Sequence, residues 1–292
     1  MHAQRLKLSL SILIPLAMAT ASHCDEPKDD SMQVEAAAMA KKVSAQCEFT
    51  TAGTVPTKLE MHSVPLLRWS NPTVGQVFGE VYLWTDNGRP AVVASMYRWF
   101  SPKWGDSLEV CSLCETSVTG RNGGVAYWSV DEPGLSLADL KDVDPPAKQP
   151  AGRLAQMRRI AGNFVADLVD TRSDVAGVSR QLRLLNQPIY RYPAPGEKST
   201  YKDGGLFTFV EGTDPEVFLI LEATKSEEAS VWRYGLVRMN RDALRVTFRN
   251  KEVWTAPFIE DVLNRSRETY AVFSLERPLK EIGTKPARKK GP

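Results

Sequence analysis

The sharpest chemical motif in the chain is Cys111-Ser-Leu-Cys114. A C-x-x-C pair does redox work when its first cysteine caps a helix, because the helix dipole lowers the thiol pKa. Here the surrounding residues, SLEVCSLCETSV, alternate like a strand. On a strand the two thiols point to opposite faces and cannot bridge each other without distortion. Zinc would need a second ligand pair, and Cys24 and Cys47 offer neither close spacing nor an adjacent histidine. The expectation is therefore structural: bridges from Cys111 and Cys114 to Cys24 and Cys47, or buried free thiols. A thiol redox protein using Cys111 and Cys114 comes after these, and no metal site is expected.

Two arginines stand in matching phrases. PLLRWSNP (65–72) returns as PIYRYPAP (188–195), so Arg68-Trp69 answers Arg191-Tyr192. A strand carries each arginine on the face opposite its aromatic neighbour. These four residues are the candidate ligand-binding set. They read either as a pair of anion-binding arginines where the two copies meet or as structural ion pairs and stacks. The many other aromatics, Trp84, Trp99, Trp104, Phe207 and Trp254 among them, can line a cavity or fill two cores, and strand alternation already predicts the second.

Histidine is nearly missing. After the leader only His23 and His62 remain, so a Ser-His-Asp or Cys-His site would have to use His62. The second copy has Leu185 in that place, which makes His62 a structural residue. There is no G-x-S-x-G elbow, H-E-x-x-H or P-loop. Asp86, Asp131, Glu132, Glu211, Asp214 and Glu216 fall in turns, where turn chemistry explains them. Glu222 ends an apolar run, opposite Tyr97 in the other copy, and is the one weak candidate acid. No catalytic residue and no cofactor is assigned.

The elements that must position these residues are written twice. GEVYLWTDNGRPAVVAS (79–95) lies against GGLFTFVEGTDPEVFLI (204–220), and GGVAYW ending at Trp128 lies against RNKEVW ending at Trp254. Small slips of register between such segments are what an old duplication with loop insertions leaves. Each copy predicts a hairpin, 79–85 with 91–97 in the first, whose strands are apolar on both faces and so covered on both sides. Strands are also expected over 107–114, 124–129, 231–239 and 244–254. A helix is expected before each copy. The first is MQVEAAAMAKKVSAQ; the second is AGRLAQMRRIAGNFVADLVD, with a stripe of Leu154, Met157, Ala161, Phe164 and Leu168. The expected fold is α+β, two tandem units of a helix packed on an antiparallel sheet, at 22–146 and 147–276.

LLRWSNP, LRLLNQPIYRY, FVEGTDPEVFLILEA and VWRYGLVRM resemble recurrent phrases in a family of uncharacterised exported proteins of planctomycete-type bacteria, and the resemblance implies no activity. The expected helix-and-sheet pairs are also similar in outline to double-hotdog, cystatin-like or lipoprotein-carrier folds.

The leader decides the compartment. Arg5 and Lys7, a short apolar run and Ala19-Thr20-Ala21 predict a signal peptide over 1–21, hence a periplasmic or secreted protein without a transmembrane segment. A lipoprotein anchored through Cys24 competes, although His23 stands where a small residue is needed. The chain's formal charge of +2 falls to about zero once the leader is removed. Residues 277–292 then hold six basic residues against Glu281 alone and predict a disordered basic tail, a weak tether to anionic surface polymer or lipid. Nucleic acid is excluded as a partner, because basic residues cluster only there. The favoured function is a non-catalytic binding or interaction protein for an unknown protein, a small apolar ligand or an anionic polymer. The alternatives are a hydrolase-like enzyme with its site between the copies and the thiol protein.

Overall fold

The computed structural model describes residues 26–52, 56–169, 179–225 and 230–282. The expected signal peptide over 1–21, His23, Cys24 and the tail beyond Ile282 lie outside the described residues. The first half runs α1 (Glu26–Ser44), β1 (Cys47–Thr51), β2 (Thr57–Lys58), β3 (Glu60–Met61), β4 (Leu67–Ser70) and β5 (Gln76–Asp86). It continues with β6 (Arg89–Ser101), β7 (Gly105–Ser112), β8 (Val118–Asn122) and β9 (Val125–Val130). After a short β10 (Ala138–Asp139) come α2 (Pro150–Ala161), β11 (Phe164–Val169), β12 (Ser179–Gln181), β13 (Arg183–Leu184) and β14 (Tyr190–Pro193). The remainder is β15 (Tyr201–Glu211), β16 (Asp214–Thr224), β17 (Val231–Arg238), β18 (Ala243–Phe248), β19 (Lys251–Ala256) and β20 (Tyr270–Ser274).

This is a mostly β protein, with two helices beside four antiparallel sheets among the described residues, and not the α+β helix-on-sheet repeat expected. Two local features explain the difference. The expected second helix stops at Ala161, because Gly162 and Asn163 form a turn and Phe164, Ala166 and Leu168 then alternate into a core as strand β11. Met157, Ala161, Phe164 and Leu168 suit a helical stripe, but the last two are two-residue repeats as well, and the turn decides between them. The expected strand 244–254 is in fact the hairpin β18–β19, turning at Arg249 and Asn250, both at positive φ.

One pairing scheme serves both halves. In the first, β3 and β4 flank β5, which continues antiparallel to β6 and β7, while β2-β1-β8-β9 forms a separate sheet. In the second, β13 and β14 flank β15, followed by β16 and β17, and β12-β11-β18-β19 stands apart. Even the bulges correspond: β5/β6 slips between Trp84 and Thr85, and β15/β16 between Phe209 and Val210. The edge strands, however, are exchanged. β10 joins β17, and β20 joins β7, so the segment following each half completes the sheet of the other. The expected unit boundaries therefore cut across sheets.

Three cores result. One lies between the first six-stranded sheet and its own four-stranded sheet with α1, around Phe49, Trp84, Met96 and Trp128. Its counterpart holds Met157, Phe164, Phe207, Phe209 and Trp232. The third lies between the two six-stranded sheets and mixes Val81, Leu83 and Val93 with Leu206, Phe218 and Ile220. The central strands are thus buried on both faces, as their two-sided apolar pattern requires. Each fully buried large apolar side chain contributes about 1.5–3 kcal/mol, and the interface core joins the halves into one body. Among the described residues no helix is long and apolar enough to cross a membrane. The part of the basic segment that is described, up to Ile282, lies on the first half: Leu279 packs on its core and the Ile282 amide donates to Ala126 O.

Candidate functional site: two ends of one interface

The repeated arginine-aromatic phrase forms β4 and β14, and each aromatic ring lies flat over a glycine of the next strand. A Cβ on Gly79 would come within 2.5 Å of Trp69, and one on Gly204 within 2.2 Å of Tyr192. Glycine is required there by close approach. The preceding arginines turn to the other face. Arg68 donates from Nε to buried Glu80 at 2.8 Å, and Arg191 binds buried Asp203 at 2.7 Å alongside Arg153. Both are engaged by a carboxylate of their own half, and neither lines the cavity described below.

The hairpins after these strands reach across to the opposite half. The first turns through Asn87 and Gly88, both at positive φ, the Asn-Gly choice for a two-residue turn. The second turns through Gly212 and Thr213. Tyr190 of the second half donates to Gly88 O at 3.0 Å, and Ser70 N of the first half donates to the Thr213 hydroxyl at 2.8 Å. Just past each tip stand Arg89 and Asp214, which close their hairpins opposite Asp86 and Glu211 in the same register.

At the first tip the interface is filled. Arg89 donates from Nε to Glu222 at 2.6 Å and from a terminal nitrogen to Glu115 at 2.7 Å, and the Tyr192 hydroxyl donates to Glu222 at 2.9 Å. Burial opposes the charge of Arg89, but these bonds outweigh it and hold the guanidinium protonated more firmly than usual.

At the second tip the interface is open. A cavity of about 510 Å³ separates the sheets, walled by Trp69, Tyr97, Trp99, Trp104 and Tyr270 and by the acids Glu109, Asp214 and Glu216. Glu109 and Glu216 are almost fully buried. Burial pushes Glu109 up to about 8, against the lowering effect of a hydrogen bond from Tyr270 and of the charge on Arg238. Asp214 and Glu216 are also held well above the carboxylate range, first by burial and then by the negative charge of Glu109 and of Asp214 respectively. Asn71 contacts Asp214 and Glu211 at 3.4 Å each, and Asn240 donates to Glu216. Among the described residues none of the three acids forms an ion pair. The neighbouring Arg238 gives its N–H groups to the carbonyls of Asn240, Asp242 and Pro257 instead. Glu211, at the rim, is paired with Arg180 at 2.9 Å. Three acidic groups thus share a cavity whose lining cations are engaged elsewhere, Lys103 over the Trp99 ring, Arg180 with Glu211 and Arg241 with the carbonyls of Ile259 and Glu260, an arrangement that can hold protons, donate them or receive a positively charged guest.

Of the four candidate ligand residues, only Trp69 lines this cavity; Tyr192 belongs to the filled end. Glu222, the weak candidate acid, is the buried partner of Arg89. Glu109 was missed because it sits inside the C-x-x-C strand, yet a carboxylate two positions before Cys111 shares its face, and a face that buries Cys111 also buries Glu109. Asp214 and Glu216 follow a turn, as the sequence suggests, but the hairpin carries them to the cavity at the interface. His62 Nδ1 donates to Val64 O at 2.9 Å, and its ring meets Tyr190 edge-on.

Cys47, Cys111 and Cys114 are buried free thiols. Cys111 belongs to the core between the large sheets and Cys114 to the outer core of the first half, on opposite faces. Burial raises Cys47 and Cys114 to about 11, and raises Cys111 as well, the reverse of what a redox pair needs. Among the described residues no three His, Cys, Asp or Glu side chains gather closely enough to hold a metal ion. Compared with protein-family models, with curated proteins and with solved structures, the chain matches none.

Proposed function

We propose that this is an exported binding protein that takes a small ligand into the cavity at the open end of the inter-sheet interface. The observation that carries the reading is the cavity itself. It is about 510 Å³, within the range of small-molecule sites, and combines aromatic walls with a few buried polar groups. It lies where the two halves meet, the one place both copies can shape. Export rests on the leader, and the resemblance to exported planctomycete-type proteins agrees with it.

A native mass spectrum of the mature chain tests this. The expected result is a retained small-molecule adduct that disappears in Val74→Trp, which narrows the mouth at a partly exposed lining residue. An adduct indifferent to that substitution, or none from any host and growth condition, overturns the reading.

One observation favours a second reading, an acid–base enzyme of the hydrolase type. Glu109 faces the cavity and keeps its proton near neutrality, as a general acid must. A screen of chromogenic glycosides, esters and amides would show turnover lost in Glu109→Gln. Equal turnover by both proteins would dismiss Glu109 as the acid.

A further inference from the structure

The two ends of the interface are counterparts, and the filled one shows what the open one lacks. Arg89 and Asp214 hold the same position in their hairpins. Tyr97 and Glu222 do too, since they face Gly79 and Gly204 across β6 and β16. Trp69 and Tyr192 cover those same glycines. At the filled end the chain supplies its own guanidinium, and Arg89 pairs with buried Glu222 and with exposed Glu115. At the open end the tip residue is a carboxylate, two more carboxylates join it, and the space remains empty of protein atoms.

We propose that the open-end cavity takes an organic cation, an amidinium, guanidinium or ammonium group on a small molecule, seated against Asp214 as Arg89 is seated against Glu222. The inference rests on the ligand-binding reading above and adds the charge class of the ligand. Three features support it. Glu109, Asp214 and Glu216 are buried or half-buried acids that form no ion pair among the described residues, Arg238 acting on Glu109 only at a distance. The walls are aromatic faces, which attract cations when water is excluded. At the mouth Lys103 Nζ already lies 4.4 Å over the Trp99 ring, so these faces hold positive charge in the chain itself. A planar fork of N–H donors also matches carboxylate geometry, as the two bonds from Arg89 show.

The test compares benzamidine with benzamide, its neutral isostere, by calorimetric titration of the mature chain in mildly alkaline buffer. Benzamidine should bind at least about ten-fold more tightly. Asp214→Arg, which gives the open end the residue of the filled end, should weaken benzamidine by about ten-fold or more without lowering the thermal midpoint. Should that variant not fold, Asp214→Asn should still weaken benzamidine measurably and leave benzamide unchanged. Equal binding of the two probes, or benzamidine binding indifferent to Asp214→Asn, overturns the charge assignment but leaves a cavity that binds ligands. If neither probe binds while the adduct sensitive to Val74→Trp persists, the cation inference alone falls. If no adduct is found either, both readings fall.

Discussion

The two hairpin tips present one backbone solution with opposite electrostatics. At Arg89 a buried acid is matched by a largely buried base, and the ion pair bridges the interface. At Asp214 the acids form no ion pair among the described residues, and burial favours their protonated form until a cation is supplied. A fold with two equivalent joints can make one structural and leave the other free for function. The structural joint fixes how the sheets meet, so its counterpart can keep an unfilled, electrostatically unbalanced space.

This contrast can be broken at several points. Arg89→Met should have the largest effect, about 3–5 kcal/mol lost in chemical denaturation, because it leaves Glu222 buried without its cation. A loss below about 1 kcal/mol would mean that Glu222 does not depend on Arg89, and the ends would not differ as argued. Next come the glycines under the rings. Gly204→Ala should cost about 1–3 kcal/mol, since Tyr192 is clamped by Glu222. Gly79→Ala should cost less, because Trp69 has the cavity beside it. Equal losses would show that the cavity gives the ring no room.

A pH series sharpens the comparison further. Glu109 binds its proton more tightly folded, with a value of about 8, than unfolded. Its contribution is therefore complete below about pH 4.3 and is lost as pH rises through about 8, at roughly 1.4 kcal/mol per pH unit between. Asp214 and Glu216 act in the same direction, while Arg238 and the bond from Tyr270 oppose the shift of Glu109. Thermal midpoints should fall from mildly acid to mildly alkaline buffer, and Glu109→Gln should flatten the profile. A profile rising over that range in the parent chain would contradict protonated acids in the cavity. The smallest effect is expected for Asp214→Asn, a gain of up to about 1 kcal/mol at alkaline pH, because it removes a poorly solvated charge.

Much of this arrangement was legible in the sequence, though as fragments. The repeated phrases located β4 and β14, the hairpins and the two-faced strands, and they set Glu222 opposite Tyr97. The strand alternation around Cys111 and Cys114 placed the thiols on opposite faces. What the sequence did not carry was the packing between distant segments. Nothing local in FVADLV distinguishes a helical stripe from a strand until Gly162-Asn163 is read as a stop. Nothing local says that the acids after the second turn point across an interface, or that β20 crosses to the first half. These depend on contacts made far along the chain, and a period or a motif does not encode them.

The exchange of β10 and β20 also gives the protein a timetable. In any partly folded chain the first large sheet has the edge of β7 unpaired until residues 270–274, far along the sequence, have docked. An open edge is an invitation to pair with the wrong neighbour. The first half is written first and finished last.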